Sequence, residues 1–273
     1  MTEKNWPLYE VFLRPRDGLA HKHVGSLHAV DDTMALQNAR DIYTRRGEVD
    51  SIWVWDHFYP LYGETAGPHF ECWSLLAAMA VETRHATLGA LVSCNTYRNP
   101  DLLADIARTV DHLSGGRMYL GIGSGWFERE YADYGYPFGT PKSRHDALVA
   151  SLARIDTRLD ALNPPALGRL PIMIGAAGEK VGLRIVAESA DAWNTYGTPE
   201  NYAVKNGVLN EWCAKVGRAP AEIERTVLIM DEPQISRWRD YVAAGAQHLI
   251  VGLGTPFDMA PVAQMLSEVH AAD

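Results

Sequence analysis

The sequence predicts an α/β protein folded as a closed parallel (β/α)8 barrel, a single domain spanning residues 1–273, and three observations carry that expectation. Short apolar segments alternate with longer amphipathic ones along the whole chain. Eight such apolar segments can be counted, the number one barrel needs. No repeat, low-complexity run or proline-rich linker interrupts the series, and 273 residues is an ordinary length for one such barrel.

In order, the predicted strands are Val11–Arg14, Ile52–Asp56, Ala86–Val92, Met118–Ile122, Pro171–Gly175, Ala192–Thr195, Thr226–Met230 and His248–Leu253. Strict alternation with helical segments makes the sheet parallel. After the first strand, Leu36, Ala39 and Tyr43 mark one helix face. Asn99-Pro100 reads as an N-cap followed by a first-turn proline, opening a helix striped by Leu102, Leu103, Ile106, Val110 and Leu113. Leu148, Leu152, Ile155 and Leu159 stripe another, and Thr198-Pro199 opens a helix carrying Leu209, Trp212 and Val216. Each stripe is read as a face buried against the sheet. The proline cluster Asn163-Pro164-Pro165 falls at a turn.

Composition excludes several classes. A formal charge of −9 and a pI near 5.6 argue against a nucleic-acid binder or a protein of anionic membranes, since both need a basic face. Cys72, Cys94 and Cys213 are widely spaced and in no metal-binding pattern, which fits a reducing compartment. MTEKNWPLYE has no apolar signal core, and no apolar run approaches the roughly 18 residues of a membrane helix, so a soluble cytoplasmic protein is expected. His21, His23 and His28 cluster in a predicted loop without a carboxylate or cysteine at ligand spacing, so no metal site is expected. There is no P-loop and no Gly-x-Ser-x-Gly elbow, hence no support for hydrolase chemistry.

The most informative stretch is Leu113 to Gly135. A helix closes at Gly115 and Gly116, a strand follows, and Gly121-x-Gly123-x-Gly125 turns into an aromatic and acidic helix start. Glycines at a strand end admit close approach of a flat or anionic ligand, and they also serve simple chain reversal. Trp126 stands where the dinucleotide fingerprint needs its third glycine, which excludes that reading.

Ligands of a parallel barrel sit at the C-terminal ends of its strands. Those ends read Asp56-His57-Phe58-Tyr59, then Ser93-Cys94-Asn95-Thr96-Tyr97-Arg98-Asn99, the glycine loop, Gly175-Ala176-Ala177-Gly178-Glu179-Lys180, and Trp193-Asn194-Thr195-Tyr196. Histidine changes charge near neutral pH, which suits His57 to proton transfer. Taken alone, Asp56 and His57 fit a cap and a hydrogen-bonded rim residue as well. Gly175 and Gly178 likewise fit a plain turn with Lys180 in solvent.

VWDHF, the run LGALVSCNTYRNPDLLADIARTVDHLSGGRMYLGIGSGWFEREYADYG and PIMIGAAGEKVGLRIVAESADAWN together resemble the bacterial luciferase-like family of flavin- and deazaflavin-dependent oxidoreductases. The resemblance implies a TIM barrel holding the ring above strands two to four. It places the cofactor phosphate over Gly175, Ala176, Ala177, Gly178 and Lys180. Asp56 would orient His57 or contact the cofactor; Ser93, Asn95 and Asn194 would offer polar groups, and Ser124, Gly125 and Trp126 a wall beside the ring. A non-proline cis peptide is implied at about Ala90–Leu91. The Asp-His-Phe triplet resembles the deazaflavin branch, so coenzyme F420 is the expected hydride carrier and a small organic molecule the substrate. FMN-dependent monooxygenation is the alternative, and a non-catalytic cofactor-binding barrel the third reading. Trp126 replaces the acid of the sugar-phosphate-oxidising branch. The segments 160–171 and 232–235 are short by the family's standard, implying a reduced lid. Trp55, Tyr59, Tyr62, Trp126 and Phe127 suggest an aromatic pocket mouth. A homodimer is expected by family analogy.

Overall fold

The computed structural model describes residues 8–13, 22–28, 49–62, 66–253 and 259–270. The chain separates into two compact units, Met1–Asp50 and Ser51–Asp273, where the sequence predicts one domain over residues 1–273. The reason is local. Apolar patterning identifies a strand but does not say which strand it pairs with.

In the first unit, β1 (Leu8–Leu13) pairs antiparallel with β2 (Lys22–His28), from Leu8 opposite His28 to Leu13 opposite Lys22, with an irregularity between Val11 and Phe12. Val11–Leu13 therefore belongs to this antiparallel pair and not to the parallel sheet as its first strand; Arg14 lies outside the described residues. His23 and His28 stand in β2 rather than in a loop, and His21 lies outside the described residues, as does the stripe Leu36, Ala39 and Tyr43.

The second unit is the expected TIM barrel in nearly closed form. Its parallel strands are β3 (Ser51–Val54), β4 (Thr87–Ala90), β5 (Ser93–Cys94), β6 (Met118–Gly123), β7 (Ile172–Gly175), β8 (Ala192–Tyr196), β9 (Glu224–Ile229) and β10 (His248–Val251). Pairing runs β3-β4-β6-β7-β8-β9-β10, and β5 adds to β6. These are the second to eighth predicted segments. Across the two end strands, Ser51 Oγ lies 2.7 Å from His248 Nε2, and the rings of Trp53 and His248 meet edge to face.

Side chains alternate between the two faces of each strand, as the pleat requires. Leu88, Leu120, Ile122, Ile174, Trp193, Val227 and Ile229 join the core that includes the helices. Leu91, Met173, Ala192 and Ile250 form a smaller cluster with Trp53, Trp55, Val92, Tyr119 and Leu228 inside the barrel.

The helices are α1 (Cys72–Glu82), α2 (Pro100–Ser114), α3 (Glu128–Tyr134), α4 (Pro141–Ala161), α5 (Gly182–Ser189), α6 (Pro199–Val216), α7 (Glu232–Ile235), α8 (Trp238–Ala243) and α9 (Ala260–His270). Asn99 caps α2 by accepting from the Asp101 and Leu102 amides, and Gly115 ends it at φ 73°. The buried face of α2 runs through Leu103, Ala107 and Val110, leaving Leu102 and Leu113 on its exposed flanks. In α6, Leu209 is buried, Trp212 half-buried and Val216 exposed at the last turn. None of the described helices is long and apolar enough to cross a membrane.

The glycine loop has a packing cause. A Cβ on Gly121 would overlap the Ala90 carbonyl oxygen, and one on Gly125, at φ 81°, would overlap the Tyr131 hydroxyl. Those on Gly123 and Gly175 would stand 2.9 and 2.8 Å from a Val92 methyl. The space these glycines leave is filled by neighbouring strands and side chains of the protein itself. The Leu91–Val92 peptide is cis, one bond beyond the expected Ala90–Leu91, and Asn163–Pro164 is cis as well.

Candidate functional site

At the C-terminal rim of the barrel, the chain leaving β3 carries Asp56 and His57, and their partners come from two other elements. Asp56 is buried and pairs with Arg98, whose Nη1 and Nη2 donate to its two oxygens at 2.5 and 3.0 Å. Arg98 also donates to Glu71 at 2.5 Å. Burial works against the guanidinium charge, but Asp56 and Glu71 outweigh it and raise its pKa. Asp56 thus anchors Arg98, and the expected orientation of His57 by Asp56 is corrected.

Glu130 orients His57 instead. Its Oε2 lies 2.8 Å from His57 Nδ1 and accepts the Tyr97 hydroxyl at 2.6 Å. Its Oε1 accepts the backbone N–H groups of Phe58 and Tyr59 at 2.6 and 3.2 Å. The carboxylate is fully buried in α3. Burial alone would raise its pKa, yet the donors from His57, Tyr97 and Phe58 hold it below the usual carboxylate range. Tyr97 is pushed the other way, by burial first and then by its bond to Glu130. An ionised Glu130 accepts the proton on His57 Nδ1, which leaves Nε2 as the nitrogen able to take or give one.

Aromatic side chains hold this arrangement. Phe58 stacks on Tyr97 at 4.6 Å and on Tyr134 of α3 at 3.9 Å, fastening that helix over the rim. The ring centroids of Trp126 and Phe127 stand 5.9 and 5.8 Å from that of His57, each edge to face, and the two stack on each other. Trp126 is 64% exposed, so this wall faces solvent, while Trp55 and Tyr62 pack together nearby in sequence.

The remaining predicted residues divide. Asn95 is buried and its Oδ1 has no hydrogen-bond partner among the described residues. Ser93 is buried with its hydroxyl accepting the Trp73 indole N–H at 2.9 Å, and Asn194 donates to Thr226 at 2.8 Å, so both also serve the protein's own packing. Ala90 is buried in the outer core and Leu91 in the inner cluster. Ser124 is half-buried, and the Gly125 carbonyl accepts from Arg144 at 3.1 Å. After β7, Gly175 and Ala176 are half-buried, while Ala177, Gly178 and Lys180 are exposed. That loop is fixed by its carbonyls: Trp193 donates to Ala176, Lys205 to Ala177, and Trp212 to Glu179.

Glu130, Tyr97 and Arg98 complete the hydrogen-bonded cluster around His57 and Asp56, and sequence reasoning did not assign them. Glu130 lies 73 positions from His57 and no spacing rule connects them. Only the fold brings them together.

Two family models match the chain: phenylacetic acid degradation B over residues 5–59 and luciferase-like monooxygenase over residues 46–268. Residues at the N-terminus are similar to one subunit of the 1,2-phenylacetyl-CoA epoxidase of Escherichia coli K12, 67% identical over 54 residues, 20% of this chain and 57% of that subunit. Another relative is the F420-dependent glucose-6-phosphate dehydrogenase of Amycolatopsis mediterranei, 37% identical over 110 residues, 39% of this chain and 32% of that enzyme. The chain spans less than two thirds of the length of the curated relatives it matches. Among solved structures, an F420-dependent secondary alcohol dehydrogenase with an F420–acetone adduct shares the fold, with TM-score 0.70 at 17% identity over 79% of this chain and 88% of that one.

Proposed function

Since the chain belongs to the luciferase-like monooxygenase family, we propose that it is an oxidoreductase passing a hydride between coenzyme F420 and a small organic substrate. The observation that carries this reading is the His57 imidazole at the C-terminal rim, its Nδ1 held by Glu130 and its ring walled by Trp126 and Phe127. The residues fit a flat heterocycle. Asn95 Oδ1 offers a buried acceptor with no partner among the described residues, which a ring N–H would satisfy. Lys180, exposed on the loop before α5, would add a positive charge for a phosphate.

When bound, the deazaflavin supplies the two-electron hydride chemistry. The chain supplies position and protonation: His57 exchanges the substrate proton through Nε2, ionised Glu130 fixes the imidazole tautomer, and the Asp56–Arg98 pair holds the strand end that carries His57. The similarity of residues 5–59 to a phenylacetic acid degradation family supports a place for this activity in aromatic-acid breakdown.

Titration of the full chain with F420 and, separately, with FMN, following quenching of its eight tryptophans, tests the reading. Saturable quenching by F420 with none by FMN is expected. FMN binding without F420 binding overturns it in favour of the monooxygenase alternative, and binding of neither favours a non-catalytic barrel.

A further inference from the structure

Ser51, Glu224 and His248 are the first residues of β3, β9 and β10, and their side chains meet at the barrel end opposite His57. Ser51 Oγ lies 2.7 Å from His248 Nε2, and His248 Nδ1 lies 3.0 Å from Glu224 Oε1. The other carboxylate oxygen accepts the Tyr119 hydroxyl at 3.2 Å, and the Trp53 indole N–H donates to Ser51 Oγ at 2.8 Å.

These bonds fix the protons. The hydrogen bond from His248 holds Glu224 below the usual carboxylate range, with burial opposing and Tyr119 adding to the effect, so Glu224 is ionised at neutral pH. An ionised Glu224 accepts a hydrogen bond from Nδ1–H, and in that tautomer of the imidazole Nε2 is the acceptor. Trp53 fills a lone pair on Ser51 Oγ, and the serine proton points to His248. A nucleophile in contact with a base, and a base oriented by a half-buried acid, is recognised by this geometry whatever the fold or chain order.

The group is also reachable. His248 and Glu224 keep 19% and 31% of their side-chain surface exposed, and Ser51 is half-buried. β3 and β10 are the two ends of the strand path, so Ser51 and His248 face each other across the one unpaired join of the described sheet. A cleft of about 450 Å³, lined in part by Tyr119, Glu224, Arg169, Asp191 and Gln247, opens on the Glu224 side of the trio.

We propose that Ser51, His248 and Glu224 form a second reactive site, a serine nucleophile for small acyl esters. Ser51 Oγ bonds to the acyl carbon while its proton passes to His248 Nε2. The C–O bond to the alcohol breaks, and the alcohol leaves with that proton. Water then attacks the acyl-serine, giving a proton to His248 that returns to Ser51 Oγ as the acid departs. Ester and water become acid and alcohol, with no change of oxidation state.

The probe is diisopropyl fluorophosphate on the full-length protein, read by intact mass and peptide mapping. An O–P bond forms at Ser51 while its proton passes to His248 Nε2, the P–F bond breaks, and fluoride leaves. One adduct per chain, on Ser51, is expected. Ser51→Ala abolishes it, and His248→Asn slows it by at least about 100-fold with the far-ultraviolet circular dichroism spectrum unchanged, the low end of what a positioned general base contributes. No adduct on Ser51 of the wild-type protein overturns the proposal and makes the trio a hydrogen-bonded plug. An adduct whose rate ignores His248→Asn overturns it equally, because the base would then do nothing. Neither result bears on F420 binding at the opposite rim.

Discussion

Glu130 gathers four hydrogen-bond donors on one buried carboxylate, and three of them come from the segment 57–59 that carries the imidazole. Removing its charge leaves those donors facing a group that must itself donate, so Glu130→Gln should cost roughly 1–3 kcal/mol at pH 7. The pH dependence follows from the lowered carboxyl. Ionised Glu130 contributes stability that is complete above the ordinary carboxylate range and disappears as pH falls through its folded value. In urea denaturation the gap between wild type and Glu130→Gln should therefore be widest near neutrality and shrink below about pH 4. A gap of constant size across that range would show that the charge is not what the donors recognise. The sequence presented Glu130 only as one acid in an acidic helix start. Its role depends on α3 folding back over the rim, a tertiary event with no local periodicity.

At the scale of elements, Arg117 ties α1, β4 and the α2–β6 turn together. Its guanidinium donates to the carbonyls of Ala80, Thr83, Ala86 and Ser114 and to the Thr83 hydroxyl. Burial lowers its pKa. A planar fork with fixed donor directions suits this set, and an ammonium with three donors on a flexible stem does not. Arg117→Lys should cost about 2–3 kcal/mol in chemical denaturation, and a loss under about 0.5 kcal/mol would mean that the carbonyls find other donors. Elements themselves were largely legible. Asn99-Pro100, Thr198-Pro199 and the glycine ends of helices mark boundaries by backbone chemistry that acts within a few residues, and those boundaries stand in the structure. The stripe on α2 was legible to within a residue, because only packing decides which flank of an amphipathic helix turns outward.

For the molecule as a whole, seven of the eight predicted segments take their places in order around the barrel, since buried parallel strands carry a continuous apolar signature. Val11–Arg14 carries the same signature and pairs elsewhere, because strand propensity is blind to partner and direction. The sheet path itself predicts a gradient of protection. β6 to β9 are hydrogen-bonded on both sides, while β3 and β10 close the path with one neighbour each. Native-state hydrogen exchange should find the amides of Leu120, Ile174 and Trp193 slower than those of Trp53 and Ile250 by about tenfold or more. Equal protection at both places would mean that the join between β3 and β10 is covered as firmly as the interior.

That the rim carrying His57 receives a deazaflavin is tested most directly by a crystal structure of the full chain grown with F420. The ring is expected beside His57 Nε2, with a ring N–H on Asn95 Oδ1; a ring bound elsewhere, with Asn95 still unpartnered, would contradict it.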